Sequence, residues 1–350
     1  MTAGGIPVGV GDGQMDILTH GLLGGALAQS CSTKSEARSA TLVGFLAALL
    51  ADADALIQSG TDPLLTLEYH RQFTHSLIFI PVGALLVSLI LWAAFKKFGQ
   101  PLGFRRIYVY ALLGCATSGV LDACTSYGTH LLWPFTDERV AWSVVSIFDP
   151  LYSLILIVAL GVGLRWHKNW APRIGLLLAA GYLSLGWWQH QRAERVIHAV
   201  ALERGHVAER LTIKPTMGNL LLWRSIYRTD GVYHVDAVRV GIGGQAKVYP
   251  GETVPAFDPP YNVAGLSTES VLYQDIGRFH TFSDGYLALH PDDPGLLGDV
   301  RYAMLATSTR PLWGIHLDLS HPESHAQFEA TRRMSRAEIN QFVGMLTGKN

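Results

Sequence analysis

The chain has 350 residues, 49% of them hydrophobic and only 16% charged, against about 25% charged in average soluble proteins. That balance excludes a mainly disordered chain, and a formal net charge of −1 leaves no basic footprint for a nucleic-acid partner. Three cysteines (Cys31, Cys115, Cys124) are too few for a disulfide framework and form no CxxC pair.

Residues 1–14 are Gly-rich, lack the basic start of a signal peptide and are expected to be a disordered N-terminal extension. Ile17–Cys31 is rich in small residues, contains His20 and reads as a full span or a re-entrant helix. Ser39–Ala51 is a short apolar run ending at Asp52. Ser76–Phe95 is 20 residues without a charge, the length that crosses a bilayer core of about 30 Å; Lys96 and Lys97 stop it. Ile107–Leu121 runs into Asp122, and Pro150–Leu164 follows Asp149. Ile174–Trp188 ends in a Trp pair suited to a membrane interface. These runs predict a multi-pass α-helical membrane domain of about five to six helices over residues 15–190.

From residue 191 to 350 the composition is that of a small soluble α+β domain. His190–Arg210 reads as helix. Asn219–Tyr227 and Gly231–Ile242 read as strands around the hairpin signal Thr229-Asp230-Gly231. Tyr302–Ala306 and Trp313–Leu319 read as further strands, and Ser335-Arg336-Ala337-Glu338 is a capping box before a last helix. The histidines here show no ligand spacing.

Loops 32–38, 96–106 and 165–173 carry the Lys and Arg residues, which places them in the cytoplasm. The connections 52–75 and 122–149 then face outward, and the C-terminal domain is expected in the periplasm.

The unusual polar residues fall at that outward face: His20, Asp52, Asp54, His70, His75, Asp122 and Asp149. Ionisable groups at the membrane edge are costly, so a convergent set reads as a site. Imidazole and carboxylate together suit Zn²⁺, Mn²⁺ or Fe²⁺. Seven candidate ligands exceed one tetrahedral site, so the metal centre is expected to be mono- or dinuclear. Asp54 or Asp149 would be the general base, and Arg71 would stabilise an anionic transition state. Each has a plainer reading: Asp149-Pro150 is a good helix start, Asp52 and Asp54 suit a helix end, and Arg71 suits a surface. Asp16, one helical turn before His20, would orient its imidazole.

Met15-Asp16-Ile17-Leu18-Thr19-His20, Ala51-Asp52-Ala53-Asp54, His70-Arg71-Gln72-Phe73-Thr74-His75-Ser76, the run Leu121–Pro134, Ala141-Trp142-Ser143 and Phe148-Asp149-Pro150-Leu151-Tyr152 occur in this order. Together they resemble the motifs of the YdjM-like family of bacterial inner-membrane, metal-dependent hydrolases. The resemblance covers roughly residues 15–165 and implies a divalent metal, hydrolysis and inner-membrane localisation, with the substrate left open. One departure is that Ser118 stands where the family has a histidine one turn before Asp122; His130, in place of the family's usual Gln, is a candidate compensator. A site at the bilayer edge suggests a lipid or phosphoester substrate. The competing reading is a non-enzymatic membrane protein, either a metal- or proton-coupled transporter or an envelope-stress scaffold. A soluble phosphohydrolase of the HD type would need a His-Asp dipeptide, which the chain lacks.

Overall fold

A computed structural model of the protein describes residues 14–98, 102–259, 263–330 and 334–349. Apart from Gln14, the expected N-terminal extension lies outside the described residues, and so does the side chain of Asp16. Residues up to Asp54, Arg71–Trp142 and Ile147–Leu183 form one compact unit. Ala55–His70, Ser143–Ser146 and the chain from Ser184 onward form a second.

The helices are α1 (Gln14–Ser30), α2 (Ala37–Leu49), the short α3 (Leu65–Tyr69), α4 (Ile80–Lys97), α5 (Phe104–Cys124), α6 (Pro150–Trp166) and α7 (Trp170–Glu203). A 3-10 turn, Ala51–Leu56, continues α2, and two more, Phe73–His75 and Leu77–Phe79, precede α4. Among the described residues three helical segments are long and apolar enough to cross a membrane: Ala37–Leu56, Leu77–Lys97 and Phe104–Cys124. Pro150–Trp166 is apolar but shorter. This corrects the expectation of five to six spans. The helix α1 has only 17 residues and includes His20. In α7 the apolar run is followed without a break by a charged one. No Gly or Pro interrupts α7 between Trp188 and Glu203, so the two helices expected there are one helix of 34 residues. It stops at Gly205, whose φ of 76° suits a residue without a Cβ.

Small residues set the packing of the first unit. A Cβ on Gly44 in α2 would lie 2.5 Å from the Gly24 carbonyl oxygen of α1, and one on Gly114 in α5 would clash with the Gly44 carbonyl. In apolar surroundings helices associate by close van der Waals fit, and small residues permit it. Ala28, Ala40, Val43, Ala47, Ala84, Val87, Ile107 and Ala111 fill the buried seam between α1, α2, α4 and α5. The opposite side of α4, including Leu86, Leu89 and Ile90, is exposed, as a lipid-facing side would be.

In the second unit, strands β1 (Arg210–Pro215), β2 (Leu222–Thr229), β3 (Val232–Val240) and β4 (Ala246–Pro255) form an antiparallel sheet in chain order. The β2–β3 hairpin turns at Asp230 (φ 49°) and Gly231 (φ 71°), the two positive φ values of a type I′ turn. After α8 (Val271–Phe282), strands β5 (Leu287–His290), β6 (Asp293–Asp299), β7 (Trp313–His316) and β8 (Gln327–Ala330) form a second antiparallel sheet. The expected capping box opens α9 (Arg336–Thr347), with Ser335 and Glu338 bonded reciprocally. Ala193, Ile197 and Ala201 of α7 pack on Ile213, Trp223, Tyr227 and Val238 of the first sheet. Leu272, Ile276 and Phe279 of α8 cover the second sheet, and Leu64 joins that core.

Tyr302–Ala306, expected as a strand, is irregular. Two of its carbonyls, Leu305 and Ala306, accept from the buried Arg224 guanidinium, which also donates to the preceding Val300 carbonyl, while the Tyr302 carbonyl accepts from the Leu312 N–H.

The segment 55–70 is bound into this second unit by Arg278 of α8. Its guanidinium donates to Glu68 (2.6 Å), Asp62 (2.9 Å) and Asp275 (2.8 Å). Arg278→Ala is expected to cost about 2 kcal/mol, as charged hydrogen bonds are lost. It should show as faster amide hydrogen exchange at residues 62–70. Gly114→Leu is expected to cost about 1–3 kcal/mol through overpacking, read as a lowered unfolding midpoint in detergent.

Candidate metal centre

The first unit brings ligand-type side chains together at one end of its helices. His20 comes from the N-terminal half of α1, Asp52 and Asp54 from the turn ending α2, His75 from the turn before α4, and Asp122 from the last turn of α5. His20, His75 and Asp122 each offer a ligand atom within 4.8 Å of the others, and all three are buried. His20 Nε2 lies 3.1 Å from Asp122 Oδ1, and His75 Nε2 lies 2.9 Å from Asp122 Oδ2. Asp52 reaches both imidazoles, at 3.4 Å from His20 Nδ1 and 3.8 Å from His75 Nε2.

The donor set fits a metal ion. His75 Nε2, Asp122 Oδ2 and Asp52 Oδ2 are buried with no hydrogen bond of acceptable geometry among the described residues. Ligand atoms that converge on a common point, and not along each other's N–H directions, are what coordination requires, whereas buried polar atoms otherwise find hydrogen bonds.

Asp54 takes a supporting place. Its Oδ2 accepts from the Arg71 main-chain N–H (2.8 Å) and the Thr74 hydroxyl (2.7 Å) and lies 3.3 Å from His75 Nδ1. A carboxylate on the second nitrogen of a ligand histidine fixes its tautomer and orientation. Arg71 turns inward, with Nη1 3.1 Å from Asp122 Oδ1 and 3.3 Å from the Thr125 hydroxyl. Its ring neighbour is Tyr127, 5.0 Å from the guanidinium carbon. The Arg71 backbone is left-handed (φ 60°), a costly state for a residue with a Cβ. Asp54 holds its N–H, while the Thr129 hydroxyl and the His130 N–H donate to its carbonyl. The next support is steric: a Cβ on Gly119 of α5 would overlap the His75 carbonyl oxygen, so the turn carrying His75 lies directly on the α5 backbone.

His70 and Asp149 are not members of the His20–His75–Asp122 cluster found among the described residues. His70 belongs to the second unit, at the C-terminal end of α3. Asp149 caps α6: Oδ1 accepts from the Leu151 and Tyr152 N–H groups and Oδ2 from the Tyr182 hydroxyl. Ser118 donates to the Ala48 carbonyl, which ties α5 to α2. His130 lies beside Arg139, Nε2 to Nη2 3.5 Å. Burial and the Arg139 charge push its imidazole down to about 4, so it is neutral at pH 7. Thr74, Thr125, Tyr127 and Thr129 are supports that sequence reasoning passed over. Their signal was membership of the HRQFTHS and LDACTSYGTH runs.

The family model described as YdjM inner membrane protein matches residues 15–193. The chain is 26% identical over 227 residues to the uncharacterized protein YfhP of Bacillus subtilis, covering 62% of this chain and 65% of that protein, just under two thirds of its length. It is 28% identical over 159 residues to the inner membrane protein YbcI of Escherichia coli, covering 42% of this chain and 83% of that protein. No solved structure matches. Motif order, helix composition and the extent of the family match agree: the chain belongs to the YdjM inner membrane protein family.

Proposed function

We propose that this protein is a metal-dependent hydrolase acting at the bilayer edge. The observation that carries the reading is the buried convergence of His20, His75 and Asp122 from three distant stretches of chain. Two imidazoles and one carboxylate are the three-ligand set of catalytic zinc sites, and they also suit Mn²⁺ or Fe²⁺. The cluster supports one ion more directly than a dinuclear centre. Such an ion would supply Lewis acidity and lower the pKa of a water. Asp52, near both imidazoles, is the candidate fourth ligand or proton acceptor. Asp54 orients His75. Arg71 is placed to hold an anionic phosphoryl or acyl group, so a lipid or other phosphoester headgroup is the substrate class the site favours. Asp149, with both oxygens committed to the α6 terminus and Tyr182, is left out of the catalytic set. The Lys and Arg distribution of the loops supports a periplasmic site and C-terminal domain.

The Arg71–Asp122 contact favours a second reading. A metal-free charge network would pin the helices of a transporter or scaffold, and the same cluster would then be structural.

Elemental analysis of the detergent-purified full chain separates the two. About one equivalent of Zn, Mn or Fe is expected in the wild type, given one three-ligand site, with loss in His20→Ala and His75→Ala. Asp54→Asn, which removes the orienting charge beside His75 Nδ1 and keeps an oxygen acceptor, should weaken metal affinity about 10–100-fold. Metal-free wild type after reconstitution, with unchanged unfolding in the His variants, would sink the hydrolase reading. If metal is bound, Arg71→Gln should lower turnover of a phosphoester by about 10²–10³-fold, the usual cost of losing one oxyanion donor.

A further inference from the structure

A cavity of about 360 Å³ in the second unit is lined by Trp188, Arg192, Arg195 and Val196 of α7, Val240 of β3 and Ala246 of β4. Its chemistry is split between apolar walls and two cations. The Arg192 guanidinium stacks on the Trp188 ring at 4.6 Å. It is set there by neutral acceptors: Nη1 donates to Gln189 Oε1 (2.7 Å) and the Gly241 carbonyl (2.8 Å), and Nη2 to the Gly244 carbonyl (3.0 Å). Arg195, one turn on, uses Nε on the Gln191 carbonyl. Among the described residues neither arginine forms an ion pair, so the cavity holds two positive charges without a carboxylate.

The apolar surroundings are equally specific. Trp187 and Trp188 are about half exposed, and α7 before them exposes Leu177 and Leu178. Arg192 tethers the β3–β4 loop, whose tip, Ile242, is 72% exposed. An exposed aliphatic run, then a Trp pair, then arginines is the order met on leaving a bilayer: acyl chains, the interfacial belt, headgroup phosphates.

We infer that the Trp188–Arg192–Arg195 cavity binds the headgroup of an anionic phospholipid, with the phosphate on the arginines and the upper acyl chain on Trp188, Val196 and Ala246. The inference is independent of the metal centre. The Ile242 tip enters the same interface and adds apolar anchorage.

Native mass spectrometry of the full chain in detergent tests it, with phosphatidylglycerol, phosphatidylcholine and inorganic phosphate as separate probes. Phosphatidylglycerol is expected to be retained in preference to phosphatidylcholine. Each arginine lost should weaken it about fivefold, and R192Q/R195Q together about 25-fold, the scale for basic residues at an anionic surface. Arg192 also holds the β3–β4 loop, so Arg195→Gln alone, whose described bond is local to α7, gives the fivefold arm in a protein whose unfolding midpoint should match the wild type. Arg192→Lys should retain most of the preference. Equal binding of the two lipids, unchanged binding in the double variant, or displacement of phosphatidylglycerol by millimolar inorganic phosphate would each overturn the proposal.

Discussion

Asp122 carries a carboxylate at zero exposure on the last turn of an apolar helix, and the first unit is arranged around that constraint. Removing such a charge from water costs several kcal/mol even after relaxation. Two imidazoles and a guanidinium surround it, drawn from two stretches of chain: His20 from α1, and Arg71 and His75 from the turn before α4. Each of those stretches must therefore be placed to within a few tenths of an ångström. The left-handed Arg71, held by Asp54, Thr129 and His130, is one local consequence. The bare α5 backbone at Gly119, on which the His75 turn rests, is another. The shell around Asp122 leaves His75 Nε2 and two carboxylate oxygens, Asp122 Oδ2 and Asp52 Oδ2, without hydrogen-bond geometry among the described residues, which is the feature that makes the cluster a candidate ligand set.

That precision depends on how the helices meet. In a hydrocarbon environment apolar side chains gain nothing by leaving lipid, so contact distance decides association. Gly24, Gly44 and Gly114 let the backbones of α1, α2 and α5 approach to main-chain contact. Their placement explains why α1, with little hydropathy signal of its own, contributes His20 to the centre of the cluster: its Gly and Ala residues are there for fit.

The polar groups outside the cluster show how similar residues are given different work. Asp54 and Asp149 are both acidic and both near helix termini, yet Asp54 lies against an imidazole while Asp149 closes the start of α6 and accepts from Tyr182. The segment 55–70, which separates Asp52 and Asp54 from Arg71 and His75, is folded into the second unit through Leu64 and the Arg278 ion pairs. Residues of the candidate cluster thus flank a segment whose own stability belongs to the sheet domain.

The sequence by itself determined the membrane character, the division into apolar helical and sheet-containing parts, the hairpin at Asp230-Gly231, the α9 capping box and the pool of His and Asp residues from which the cluster is drawn. These are readable because they depend on local composition, period or turn chemistry. Tertiary structure decided which of the seven candidates meet, because convergence depends on helix contacts between residues about 50–100 positions apart, and side-chain periodicity carries no such information. It likewise decided that Tyr302–Ala306 serves Arg224 and not a sheet, since an alternating apolar run does not reveal which partner takes its carbonyls. The number of spans was misjudged for a related reason: short apolar helices buried among neighbours and a long helix leaving the apolar region share the composition of membrane spans, and only their lengths and continuity in the folded chain separate them.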